Sequence, residues 1–204
     1  MAYDGIFDMS HWQGTPDLAN AKAAGFAAVI IKATEGTTIA DRNFLANLAG
    51  ATRNGFLTGA YHFGEPGNGI VQADFFLSTV NPTPRTLVAL DFERSSSGTM
   101  TIQAAVDFVT HIKEQLGRWP VLYGGATLKE QLNHQPNMIL SNCPLWLAQY
   151  ATTAVLPPGW QQWTLWQFSD DNSNKPENPV PGVSPVDRDG FNGTAEELAA
   201  RWPL

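Results

Sequence analysis

Thr86–Glu93 (TLVALDFE) is an apolar, β-branched run that ends in two carboxylates separated by one phenylalanine. Side chains on a strand alternate faces, so Asp91 and Glu93 point one way and Phe92 the other, with the two acidic Cα atoms about 6.6–6.8 Å apart. Two acids at the end of a buried strand repel each other and cost desolvation energy, so a purely structural purpose is hard to assign. Such a pair supports two chemistries: coordination of a metal through oxygen, or glycoside hydrolysis with one protonated and one ionised carboxyl. His11, His62, His111 and His134 form no HxH or HExxH pattern, which leaves a zinc site without its usual ligands. A GxSxG elbow, a Walker loop and a GxGxxG turn are all missing, so serine-nucleophile and phosphate-binding chemistry lack their parts. Glycoside hydrolysis uses the acids as they stand and needs no metal or other cofactor.

The elements that must position these acids follow a rhythm. Strands are expected at Gly5–Ser10, Ala27–Lys32, Leu57–Phe63, Thr86–Glu93 and Val121–Tyr123. Helical stretches separate them: Thr15 to Ala24 with Thr15 as N-cap and Pro16 at the first position, Asp41–Asn54, Gly69–Val80, Thr101–Leu116 and Thr127–Asn133. A repeat of about 30 residues is one βα unit, and five in succession imply a parallel sheet with helices outside. After that come Leu145–Tyr150, Trp163–Ser169 and a short run near Val186 with no amphipathic helix between them, then a last helix at Thr194–Arg201 whose Thr194 and Glu197 fit a capping box. Five βα units plus three bare strands make eight, the number that closes a barrel. The fold class expected is therefore α/β, a modified TIM-like barrel over residues 1–204 as one domain, with Asn172–Pro185 as a rim or lid.

In such a barrel reactive groups gather at the C-terminal ends of the strands. Asp8, Lys32 with Glu35, Tyr61 with His62, Asp91 with Glu93, Tyr123, Gln149 with Tyr150, Gln167 and Asp187 all fall at expected strand ends. Acids at the ends of strands one, four and eight would converge on one mouth.

Composition narrows the partners. The 204 residues carry a net charge of −7, with 43% hydrophobic and only 15% charged residues, which suits a large core and no disorder. The acidic balance and scattered Lys and Arg argue against nucleic acid. No apolar run approaches membrane-spanning length, and the N-terminus lacks the basic-then-apolar pattern of a signal peptide. The single Cys143 excludes an internal disulfide and reads as a small buried hydrophobe.

Eight short strings then converge on one resemblance: DMSHWQG (Asp8–Gly14), KATEG (Lys32–Gly36), GAYHF (Gly59–Phe63), LDFE (Leu90–Glu93), LYGG, LWLAQY, LWQFS and VDRDGFNG. In order and in register, they resemble glycoside hydrolase family 25, the lysozymes (N-acetylmuramidases) of the Chalaropsis type, from Asp4 to about Leu198. The resemblance implies a flattened barrel of five βα units and three strands, cleavage of the β-1,4 bond between N-acetylmuramic acid and N-acetylglucosamine, and bacterial peptidoglycan as the partner of a monomer. It makes Glu93 the general acid and Asp91 the second carboxylate, with Asp8 and Asp187 completing an acidic floor and Tyr61 beside the reacting sugar. Neighbouring carboxylates are expected to raise the pKa of Glu93.

Substrate contacts are further expected from Tyr123, Trp146, Gln149, Tyr150, Gln167 and Glu35, the last with an ion pair to Lys32 as an equal alternative. Trp12 and Trp166 are candidates for stacking on sugars, and barrel core is the alternative for at least one of the tryptophans. VDRDGFNG departs from the family pattern at Asp189, where an uncharged residue is expected. Asp189 shares the parity of Asp187, so an extra acid would face the site, while Gly190 loosens the eighth strand. Two other readings stand beside the muramidase: a non-catalytic glycan-binding barrel and a chitinase-like hydrolase. The location implied is the bacterial cell wall, reached as a secreted enzyme or a released phage lysin.

Overall fold

The computed structural model describes residues 2–169, 179–183 and 185–204. Among the described residues eight strands make the barrel: β1 Tyr3–Met9, β2 Ala28–Glu35, β3 Leu57–Phe63, β4 Leu87–Asp91, β5 Val121–Gly124, β6 Leu145–Ala148, β7 Leu165–Ser169 and β8 Asp187–Phe191. A two-residue strand, Ile39–Ala40, pairs with the end of β2. The eight neighbour one another in chain order, and β1 pairs with both β2 and β8, which closes the barrel. Neighbours from β1 through β7 are parallel, whereas β8 runs antiparallel to β7 and to β1. Among the described residues six α-helices accompany them: α1 Leu18–Ala23, α2 Phe44–Arg53, α3 Gly69–Val80, α4 Ile102–Leu116, α5 Ala126–Leu132 and α6 Ala195–Arg201.

Strand alternation sorts the core into two shells. Ile6, Ile30, Ala89, Val121, Leu165 and Phe191 fill the barrel, and Leu198 and Trp202 from the α6 region pack against them. Phe7, Val29, Ile31, Val88, Leu90 and Leu122 point outward under the helices. This double burial explains why the parallel strands read as continuous apolar runs. The helices start where side chains can cap free amides: Asn68 for α3, Thr101 for α4 and Thr194, with the expected capping box to Glu197, for α6. Gly69 lets α3 touch α4 backbone to backbone, since a Cβ there would stand 1.9 Å from the carbonyl oxygen of Ala104.

Several boundaries differ from expectation. The fourth strand ends at Asp91, so Glu93 lies beyond it; the Phe92 amide still donates to the Tyr123 carbonyl, and a small hairpin of Arg94–Ser95 and Gly98–Thr99 turns the chain away. Helix α1 is capped by Asp17, which accepts from the Asn20 amide, rather than by Thr15. Asp41 precedes α2 as a buried acid that accepts from the backbone and ring of His11 and from the Asn43 amide, which binds the two loops together. Gln149 and Tyr150 fall just past β6. In the Asn172–Pro185 segment, read as a rim or lid, residues 172–178 and 184 lie outside the described residues. Within the described part, the Gly182 carbonyl accepts from the Asp17 amide at 2.8 Å and the Pro185 carbonyl from Gln13 Nε2 at 2.9 Å.

Candidate active site

Inward-facing positions at the open mouth of the barrel are polar, in contrast to the apolar filling below. Asp8 sits near the end of β1 and is paired in register with Asp187, the first residue of β8. Because β8 runs back down the barrel, its beginning, not its end, lies at the mouth. Asp187 reaches the place expected of it for that reason. β8 accordingly pairs antiparallel with both β7 and β1.

These groups line a cleft of about 380 Å³. Asp8, Asp91, Glu93 and Asp187 all contribute to its wall, as do Tyr61, Tyr123, Trp146 and Gln167 among the expected contact residues. Gln167 is the hub of the floor. Its amide nitrogen donates to Asp8 Oδ2 at 2.8 Å and to Asp187 Oδ2 at 3.2 Å, while its oxygen accepts from the hydroxyls of Tyr123 at 2.8 Å and Tyr150 at 3.0 Å. The Trp146 indole lies edge-on to both Tyr61 and Tyr123, with centroids 6.3 and 4.7 Å away, and donates to Asp189 Oδ1 at 2.6 Å.

The electrostatics follow from burial among like charges. Asp91 is 6% exposed, and its Oδ1 has no hydrogen-bond partner among the described residues. Burial first, then the charge of Glu93, push its pKa well above the usual carboxylate range, with Lys32 pulling the other way. Burial also raises Glu93, while the nearby Tyr123 hydroxyl favours its charged form. The carboxylate repulsion expected at Glu93 is thus found at Asp91 instead, second to burial, while burial alone raises Glu93. Asp8 is raised well above the ordinary value by burial and then by Asp189. Burial beside Asp8, Asp91 and Asp187 likewise holds the Tyr61 hydroxyl protonated.

Other expected site residues sit elsewhere. Glu35 pairs with Lys32 at 2.6 Å outside the cleft wall, and Lys32, which does line the cleft, also lies over the Phe63 ring. Gln149 organises the turn after β6: it accepts from Lys129 Nζ and donates to the Thr153 carbonyl. Tyr150 is 45% exposed and reaches the floor through its bond to Gln167. Trp166 points to the outer shell, edge-on to Trp163, and donates to the Gln149 carbonyl. His62 also faces outward. It is fully buried against Phe108 and bonded to Thr34 and Gln72, and burial lowers its pKa to about 4. Cys143 is a buried free thiol raised to about 12 by desolvation.

One contributor was undervalued in the sequence. Trp12, 81% exposed, stands on the cleft wall at the centre of a single helical turn, His11–Gln13, and rests on the His11 ring. Ser10 and Gln13 cap that turn reciprocally. The Ser-x-x-Gln spacing was the available signal, because it announces a rigid turn after β1 that presents its middle side chains to solvent. Among the described residues no group of three or more His, Cys, Asp or Glu is arranged to hold a metal ion, and no helix is long and apolar enough to cross a membrane.

Residues 7–176 match the family described as glycosyl hydrolases family 25. The chain is 37% identical to Lysozyme M1 of Streptomyces globisporus, over 95% of this chain and 69% of that protein. It is 34% identical to the N,O-diacetylmuramidase of Chalaropsis sp, over 80% of this chain and 87% of the relative. The bacterial lysozyme from Streptomyces coelicolor superposes with a TM-score of 0.84 at 35% identity, covering 95% of this chain and 94% of the other. With its closed eight-stranded barrel and acid-lined mouth, the chain is a glycoside hydrolase and belongs to glycosyl hydrolases family 25.

Proposed function

We propose that the protein is a lysozyme acting on the bacterial cell wall, a muramidase that hydrolyses the β-1,4 bond between N-acetylmuramic acid and N-acetylglucosamine in peptidoglycan. The observation that carries this reading is the pairing of Asp91 and Glu93 at two depths of one cleft, both pushed toward protonation in an enclosure short of positive charge. Such a pair titrates as a unit. Together the two acids supply what glycoside cleavage needs, one proton to give and one charge to stabilise.

Access divides the roles. Glu93 is half-buried beyond the strand end and open to the cleft, so it is the group that delivers a proton to the leaving glycosidic oxygen. Asp91 lies deeper, and its unpartnered Oδ1 suits the N–H of a 2-acetamido group. As the C1–O bond breaks, the acetamido carbonyl oxygen bonds to C1 and Asp91 stabilises the positive charge that spreads to the nitrogen. Water then attacks C1, reopens the ring and gives its proton to Glu93, with net retention. Tyr61 and Tyr123 wall the reacting sugar, and Asp8, Asp187 and Gln167 hold the floor.

Mass spectrometry of digested peptidoglycan tests the reading. New reducing ends on N-acetylmuramic acid are expected; reducing ends on N-acetylglucosamine, or turnover of chitin in preference, would replace it with the chitinase-like alternative. Glu93→Gln is expected to lower turnover by about 10²–10⁴-fold with the fold retained. Undiminished activity in that variant removes Glu93 from the role.

A further inference from the structure

Asp189 lies one pleat below the cleft floor, where a barrel interior is normally apolar. It is fully buried, inward-facing on β8, and paired in register with Ile6 of β1 and Gln167 of β7. One of its oxygens accepts from Trp146 Nε1 at 2.6 Å. It is absent from the cleft wall and so cannot touch substrate. An acid in such a place costs folding free energy unless it acts on something above it.

We propose that Asp189 is a positioning residue: it fixes the Trp146 indole behind Tyr61 and Tyr123, and it shares one proton with Asp8, so that the two acids present a single negative charge beneath the reacting sugar. This role rests on the muramidase reading of the cleft. The geometry supports both halves. Trp146 touches the rings of both tyrosines, so its rotation about the Asp189 hydrogen bond would move the wall of the sugar site. Asp8 and Asp189 face inward from the adjacent strands β1 and β8, two residues apart in register, and the charge of Asp189 adds to burial in raising Asp8. Burial raises Asp189 to about 7, partly offset by the Trp146 bond.

Among the described residues, the charges around the pair are mostly negative. From β8 itself, Asp187 repels Asp189 and Arg188 partly offsets it, the Arg188 guanidinium lying over Phe26 and donating to Asp4. From the β4 end, Glu93 adds repulsion to Asp8. Tyr61 and Tyr123, from β3 and β5, are buried neutral hydroxyls. Lys32, from β2, offsets Asp91 and is itself paired with Glu35.

Two measurements test this. Asp carboxyl carbons of the unmodified protein, followed by 13C NMR across pH 3 to 9, are expected to show Asp8 and Asp189 releasing their two protons in widely separated steps. Both ionising together in the ordinary carboxylate range overturns the shared proton whatever the substrate proves to be. The second is the pH profile of Asp189→Asn, which keeps an acceptor for Trp146 but removes the charge. With less repulsion to hold protons in the cluster, the alkaline limb of activity is expected to move down by about one unit, at a kcat within a few-fold of the original at its optimum. Asp189→Leu removes the acceptor as well and is expected to raise KM in addition. An unchanged profile and KM in both variants reduces Asp189 to core packing, while loss of muramidase activity by the unmodified protein would instead fault the reading on which the role rests.

Discussion

Asp91 and Glu93 are two residues apart in the chain, yet they differ in depth, in partners and in what holds their protons. The alternation rule placed them on one face, and both do reach the cleft, but β4 stops at Asp91 and Glu93 comes from the segment after it. Their separation in depth was illegible in the sequence because it depends on where the neighbouring strand β5 stops pairing. Trp12 is the counter-example of a residue whose place could be read from spacing alone. Its side chain is held over the cleft wall by a capped turn and touches little else, so Trp12→Ala is expected to leave the melting temperature nearly unchanged. If the ring stacks on substrate, KM rises on the order of 10-fold with kcat retained, as measured by steady-state kinetics on soluble peptidoglycan fragments. An unchanged KM would make it a surface tryptophan only.

At the scale of elements, the βα rhythm was legible because strands buried on both faces must be apolar throughout, and helices must be apolar along one stripe. The direction of β8 was not, since nothing in an eight-residue pattern records whether the preceding link crosses the barrel. The layer formed by β3, α3 and α4 shows a different kind of ambiguity. His62 sits at a strand end like the site residues, but parity turns it outward into the stack with Phe108, where burial keeps it neutral. A histidine whose folded pKa is about 4 refuses a proton that the unfolded chain accepts near 6.5, so stability falls as pH drops from 6.5 toward 4. The loss attributable to this one side chain approaches roughly 3 kcal/mol at the acid end. His62→Gln is expected to flatten that slope in denaturant unfolding measured at pH 4 and pH 7. A slope identical to that of the unmodified chain would show that His62 does not govern it.

Across the whole molecule, the mouth and the interior pull against each other. Asp8 and Asp91 are buried acids whose folded pKa values are raised, so what they contribute to stability is present at low pH and lost as pH rises from about 4 through those raised values. Near neutral pH the site is therefore a strain on the barrel that carries it. Asp91→Asn is expected to raise the melting temperature at pH 7 by a few degrees while abolishing turnover, and to give little gain at pH 4. A lower melting temperature at pH 7 would mean that Asp91 is held by partners rather than tolerated. The seam between β1 and β8 has a consequence in time rather than in energy. Asp8 arrives with the first strand and Asp187 and Asp189 with the last, and Tyr3 pairs with Phe191 across nearly the full chain. Contacts so remote in sequence close late in folding. A chain emerging from the ribosome therefore carries Asp91 and Glu93 long before Asp187 and Asp189 can lie beside them, and it acquires a complete cleft in the step that closes the barrel.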